Sequence, residues 1–164
     1  MKTLFLVRHA KSCWEDPVLS DIDRPLNKRG KNDAPLMAKK VKKLFIKPDL
    51  LVSSPAKRAL TTAQYFAEEL ELKRSNIAIV KEIYEALPDT LIHVVHSLPH
   101  EANTAMLFGH NPAFTMITNR FTEAPFDNLP TCGVVKIEST AESWAEFSEK
   151  NSKVTSILYP KKDL

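Results

Sequence analysis

The feature that most constrains this chain is an abrupt step from apolar to charged residues near its start, Leu4-Phe5-Leu6-Val7 followed at once by Arg8-His9-Ala10-Lys11. Four consecutive apolar residues with Thr3 before them read as a short strand buried on both faces. That is the habit of strands in parallel sheets. Such a strand obliges the rest of the chain to provide cover for both faces. In open α/β sheets ligands bind at the carboxyl ends of the strands, so Arg8 and His9 stand where an anion would be handled. The same two residues could merely cap a strand and point at water, since position in a fold does not prove function. Residues further along decide between the two.

The remainder of the chain alternates between strand-like and helix-like segments. Lys11 to Pro25 is a polar, proline-bearing loop without periodicity. Asn27 is an N-cap candidate. Ala34, Met37, Val41, Leu44 and Phe45 recur at helical spacing as a buried face, and Pro48 stops the helix. Pro35 places the regular part of that helix from about Asp33 onward, because an interior proline interrupts the hydrogen-bond ladder. Lys39, Lys40, Lys42 and Lys43 read as its solvated face. Strands are expected at 49–52, 77–80, 103–108, 133–138 and 154–158, the last at an edge. Ser53-Ser54-Pro55 opens a second helix with Ala59, Ala63, Phe66, Ala67 and Leu70 as its apolar stripe and Arg58 in its first turn. Further helices are expected from Pro88 to Leu98 and from Pro112 to about Phe121, the latter just after Gly109-His110-Asn111. Strands alternating with helices predict a three-layer α/β/α sandwich around a mainly parallel sheet. No repeat or boundary divides residues 1–164, so one domain is expected.

Composition narrows the chemistry. Hydrophobic residues at 43% and charged residues at 26% are ordinary for a globular protein. No apolar run approaches the ~18 residues of a membrane span, and the apolar stretch before Arg8 is too short for a signal peptide. Cys13 and Cys132 are isolated, which fits a reducing cytoplasm. A net charge of +3 suits an anionic substrate but is too weak to argue for nucleic acid. The three glycines, Gly30, Gly109 and Gly133, cannot build a P-loop or a dinucleotide fingerprint. A phosphate would have to be held by side chains and helix N-termini, a task for which the planar arginine fork is suited.

His9 and His110 therefore lie at two strand ends, Arg8 and Arg58 at strand-to-helix junctions, and Glu85 after a third strand. Together the pieces Leu6-Val7-Arg8-His9-Ala10, Asp23-Arg24-Pro25-Leu26 with Gly30, Ser53-Ser54-Pro55-Ala56 with Arg58-Ala59, Tyr84-Glu85-Ala86, Gly109-His110-Asn111-Pro112 and Leu158-Tyr159-Pro160 resemble the histidine phosphatase superfamily, related to phosphoglycerate mutase. Within it the nearest likeness is to the small SixA-type phosphohistidine phosphatases. The resemblance implies a phosphoglycerate mutase-like fold and a nucleophilic His9 that forms a covalent phosphohistidine, splitting one hard step into two easier ones. Arg8, Arg58 and His110 would clamp the phosphoryl oxygens, with Asn111 and Arg24 as further substrate contacts. Glu85 would be a general acid for an alkoxide leaving group; Glu82, three residues earlier, is the other candidate. No metal or cofactor is implied. Ala10 stands where many relatives carry glycine.

The chain is short and offers no long insertion for a lid, which favours a phosphorylated side chain on another protein, in particular phosphohistidine. The alternatives are a small phosphoester, acted on by a phosphomonoesterase or mutase, and a non-catalytic phosphate-binding module. A cysteine phosphatase is excluded, because Leu19 and Glu138 stand where an arginine would follow Cys13 and Cys132. Asp21-Ile22-Asp23 imitates the paired aspartates of haloacid dehalogenase phosphatases but follows no strand. His93, His96 and His100 lack the carboxylate or cysteine partners of a metal site. Trp14 and Trp144 read as packing residues, with Trp14 close enough in sequence to the nucleophile to reach the pocket mouth.

Overall fold

In a computed structural model describing residues 1–164, the apolar start forms β1 (Lys2–Arg8) in the middle of a six-stranded sheet. The other strands are β2 (Leu50–Ser53), β3 (Ala78–Ile79), β4 (Thr104–Gly109), β5 (Val134–Ser139) and β6 (Ser152–Leu158). Their order is β3-β2-β4-β1-β5-β6. β1, β2, β3 and β4 run parallel, whereas β5 and β6 are antiparallel additions, with β6 at the edge. The sheet is therefore mixed, with a parallel half that carries the site.

The period-two alternation of a strand sends its residues to opposite faces. Phe5 and Val7 enter one apolar cluster together with Ala34, Met37, Val41, Ala63 and Phe66 of the helices α1 (Lys28–Leu44) and α2 (Lys57–Glu69). Leu4 and Leu6 enter the other, against Leu91, Val95, Phe114 and Ile117 of α3 (Pro88–His96) and α4 (Ala113–Asn119). A short α5 (Pro160–Asp163) closes the chain. These are the three layers that the sequence predicts.

Asn27 caps α1 by accepting the Gly30 N–H. Contrary to the expectation of a start near Asp33, the helix is regular from Lys28 and carries Pro35 inside it. The cap at Asn27 satisfies an end donor and fixes the first turn there. Leu44 is a second correction. It is 49% exposed, because the buried stripe passes instead through Ala34, Met37, Ala38 and Val41, leaving Phe45 half-buried against the core. Trp144 packs as expected, with its indole N–H donating to the Ala102 carbonyl at 2.7 Å. Trp14 does not: it is 72% exposed and lies over the Arg24 guanidinium, 3.4 Å from ring centre to carbon. The buried Lys2 ammonium donates to the carbonyls of His100 and Ala102 and to Asn103 Oδ1, so β1 begins at a hydrogen-bonded charge. No helix is long and apolar enough to cross a membrane.

Candidate active site

The carboxyl ends of β1 and β4 are neighbours, with Arg8 opposite Gly109. The residue after each strand, His9 and His110, thus reaches the same place, and their rings stand 5.3 Å apart, centre to centre. The main chain of the His9 segment is held on both sides. Its N–H donates to the Gly109 carbonyl, its carbonyl accepts from the Cys132 N–H, and the Arg8 N–H donates to the Gly133 carbonyl, each at 3.0 Å. Ala10 N–H donates to Thr62 Oγ1, whose hydroxyl donates to the Arg58 carbonyl. Thr62 thereby ties the loop after β1 to the first turn of α2, where Arg58 lies almost wholly buried.

His9 Nδ1 lies 2.8 Å from the carbonyl oxygen of Ala10. A carbonyl only accepts, so Nδ1 must carry the hydrogen and Nε2 keeps a bare lone pair. Burial pushes this imidazole down to about 3, against the pull of the Ala10 carbonyl, with like-charge repulsion from His110, Arg58 and Arg8 adding to it. His110 is pushed down to about 4, first by burial and then by the Arg58 charge. Both rings are therefore neutral near pH 7, and His9 presents a nucleophilic nitrogen there without having to lose a proton.

Arg8 donates through Nη1 to the Leu129 carbonyl at 2.9 Å. Arg58 donates through Nη1 to the Asp21 main-chain oxygen at 2.7 Å and through Nη2 to Asp21 Oδ2 at 2.9 Å. These bonds use one tip of the Arg8 fork and both tips of Arg58, and leave Arg8 Nε and Arg58 Nε, with His110 Nδ1, as the buried side-chain nitrogens that have no partner in the protein. Buried donors are ordinarily hydrogen-bonded, and an unmade bond costs about 1–3 kcal/mol. All three belong to residues lining one cavity of about 210 Å³, together with His9, Lys11, Ser12, Trp14, Arg24, Asn111 and Thr131. No carboxylate is among the residues lining it. Three buried nitrogens without protein partners on cavity-lining residues, a bare imidazole nitrogen and a surplus of cations make a receptor for a compact anion.

Of the residues expected from the sequence, Arg8, His9, Arg24, Arg58, His110 and Asn111 are thus brought together. Arg24 is anchored by donation to Ser12 Oγ at 2.7 Å and by Asp21. The Asn111 amide donates to Asn128 Oδ1 and the Leu129 carbonyl, and its oxygen accepts from the N–H and hydroxyl of Thr115. Its four bonds hold the Leu129 carbonyl where Arg8 finds it. Glu85 is not brought in. It is exposed, outside the cavity lining, and its backbone adopts a left-handed turn at φ 56°. Glu82 faces a separate apolar groove with Val80, His93 and Val94. The His96 ring contacts the Phe147 carbonyl.

Two residues to which the sequence reading gave no part in the site organise the cations. Asp21 accepts from Arg58, from Arg24 Nε at 3.1 Å and from the Tyr84 hydroxyl at 2.7 Å. Its carboxyl is held down to about 2, chiefly by the Tyr84 hydroxyl and then by the arginines, despite an opposing effect of burial. Tyr84, edge-on to His110 at 5.6 Å, is raised to about 12 by burial and the Asp21 bond. Tyr84 was visible as the neighbour of Glu85. Asp21 stood out in the sequence only as part of the Asp21-Ile22-Asp23 pair, which gave no hint of its arginine and tyrosine partners.

Comparison with known proteins agrees with this arrangement. The family model of the histidine phosphatase superfamily (branch 1) matches residues 4–86, just over half of the chain. An uncharacterized chloroplastic protein of Arabidopsis thaliana is 29% identical over 154 residues, covering 88% of this chain and 70% of that protein. A structure from Agrobacterium tumefaciens, assigned as the phosphohistidine phosphatase SixA, superposes with a TM-score of 0.79 at 26% identity, over 97% of this chain and 98% of that one. The protein histidine phosphatase SixA complexed with tungstate shares the fold, with a TM-score of 0.81 at 18% identity over 98% of each chain.

Proposed function

This chain belongs to the histidine phosphatase superfamily, and we propose that it is a phosphohistidine phosphatase in which His9 is the nucleophile. His9 Nε2 attacks phosphorus, the bond from phosphorus to the substrate side chain breaks, and the dephosphorylated side chain leaves with that bonding pair. Water then attacks the phosphohistidine, returning free His9 and inorganic phosphate. Arg8 and Arg58 meet the phosphoryl oxygens through Nε, and His110 through Nδ1. Phosphoryl transfer relies mostly on such positioning and charge stabilisation. Arg24 and Asn111 support the pocket from its rim.

One observation carries the choice of substrate: the residues lining the cavity include no carboxylic acid. Asp21, held down to about 2, is ionised at neutral pH and donates no proton. Glu85 stands in solvent outside the lining. An alkoxide leaving group needs a proton in the transition state, whereas an imidazole leaving from phosphohistidine needs one far less. The exposed rim, with Trp14 standing above Arg24, suits a phosphorylated side chain on another protein. On the competing reading, a small phosphoester, Glu85 would have to swing inward as the acid. A single catalytic domain over residues 1–164, acting in the cytoplasm with both cysteines as free thiols, completes the reading.

The experiment is incubation with a phosphohistidine protein beside sugar phosphates and phosphoglycerates, with alkaline quenching to preserve the intermediate. Turnover of the phosphohistidine protein with label on His9 is expected. Turnover of the small esters alone overturns the substrate, and an unlabelled His9 overturns the mechanism.

A further inference from the structure

We propose that Ser54 is a positioning residue that fixes the tautomer of His110, so that this ring turns an N–H, rather than a lone pair, toward the phosphoryl group. The inference rests on the reading of the cavity as a phosphoryl site. Ser54 is fully buried where β2 passes into α2. Its main chain is pinned at both polar atoms, the N–H donating to the Phe108 carbonyl and the carbonyl accepting from the Ser53 hydroxyl. Its Oγ accepts from the Ala56 N–H at 3.2 Å and lies 2.8 Å from His110 Nε2.

The hydroxyl hydrogen of Ser54 then has one acceptor in reach, His110 Nε2, because Oγ meets no carbonyl or carboxylate. Donation to Nε2 requires that nitrogen to be unprotonated, and a neutral imidazole must then carry its hydrogen on Nδ1. Nδ1 is the buried ring nitrogen without a partner in the protein. The reverse assignment does poorly on both counts. It leaves the serine hydrogen without an acceptor and points a bare Nδ1 lone pair at the anion. His9 and His110 are thus the same tautomer set by different neighbours, a carbonyl at Nδ1 in one and a hydroxyl at Nε2 in the other. They offer opposite polarity to the site: His9 a lone pair to attack, His110 a hydrogen to bind.

The test is the imidazole ¹⁵N spectrum of the ¹⁵N-labelled protein near pH 7, without ligand, with His110 assigned by its loss in His110→Gln. A protonated Nδ1 and an unprotonated Nε2 are expected in the wild type. Ser54→Ala should move the ring toward Nε2–H and weaken tungstate binding by about tenfold to a hundredfold, the range for one hydrogen bond to a charged group. Ser54→Thr, which keeps the hydroxyl, should restore the wild-type signature. With His110 assigned in this way, a wild-type ring protonated on Nε2 overturns the proposal even if neither Ser54 variant folds, and so does a Ser54→Ala protein with unchanged His110 shifts. Because the shifts are read without turnover, they separate this assignment from the enzymatic activity.

Discussion

Two neutral, buried imidazoles should give this protein an acid-labile fold, and His9 should account for about half of the effect. Unfolded histidine titrates near ~6.5, while His9 and His110 are pushed to about 3 and about 4. Below the unfolded value the unfolded chain takes up protons that the native state refuses, so stability falls as pH falls. It is complete above ~6.5 and is lost progressively down to the folded values. Between pH 7 and pH 5, linkage gives a loss of about 2 kcal/mol for each ring and about 4 kcal/mol for the pair. Asp21 acts in the same direction but is silent in this window, since its contribution is lost only as pH falls from the ordinary carboxylate range toward about 2. The assay is urea unfolding at both pH values, in buffer free of phosphate, because an anion bound to the native state would add stability of its own. The comparison is with His9→Gln, which removes one ring and leaves every other ionisable group in place. The variant should lose about 2 kcal/mol less than the wild type between the two pH values. Equal losses would mean that His9 protonates as readily folded as unfolded, and would refute the burial that supplies its free nucleophilic nitrogen at neutral pH.

Arg58→Lys keeps the charge but not the fork that grips Asp21 through two nitrogens and leaves a buried Nε without a protein partner; kcat should fall on the order of 10²–10³, and near-wild-type turnover would contradict the proposed role of Arg58. Gly30→Ala would drive a methyl group into the Lys11 carbonyl, which also accepts the Asn27 N–H at 2.9 Å; a cost of about 1–3 kcal/mol is expected in the urea midpoint, with lower activity as the loop after His9 is displaced. Asn27→Ala removes the cap on the Gly30 N–H and should cost about 1 kcal/mol of stability with little change in turnover.

What the sequence by itself determined is local and periodic. The apolar run of β1, the stripes of α1 and α2, the cap at Asn27 and the polar residues waiting at strand ends depend on neighbours one to four positions away. The same logic put His9, His110, Arg8 and Arg58 at one end of the sheet, since parallel strands present their carboxyl ends together. Where the reading failed, a local rule met a tertiary constraint. Pro35 sits inside a capped helix, Leu44 falls off the buried stripe, Trp14 stacks on Arg24 instead of packing inside, and Glu85 turns out in solvent. The tertiary structure alone decided which atoms meet: Asp21 with Arg58 and Tyr84, Arg8 with the Leu129 carbonyl, Ser54 with His110. Those partners come from loops and strand ends far apart in the chain, and nothing in a residue's own neighbourhood fixes a hydrogen bond across such a distance. Residue identity sets what a group can donate or accept, but protonation state and orientation follow from burial and from the partner opposite, and both exist only once the chain has folded.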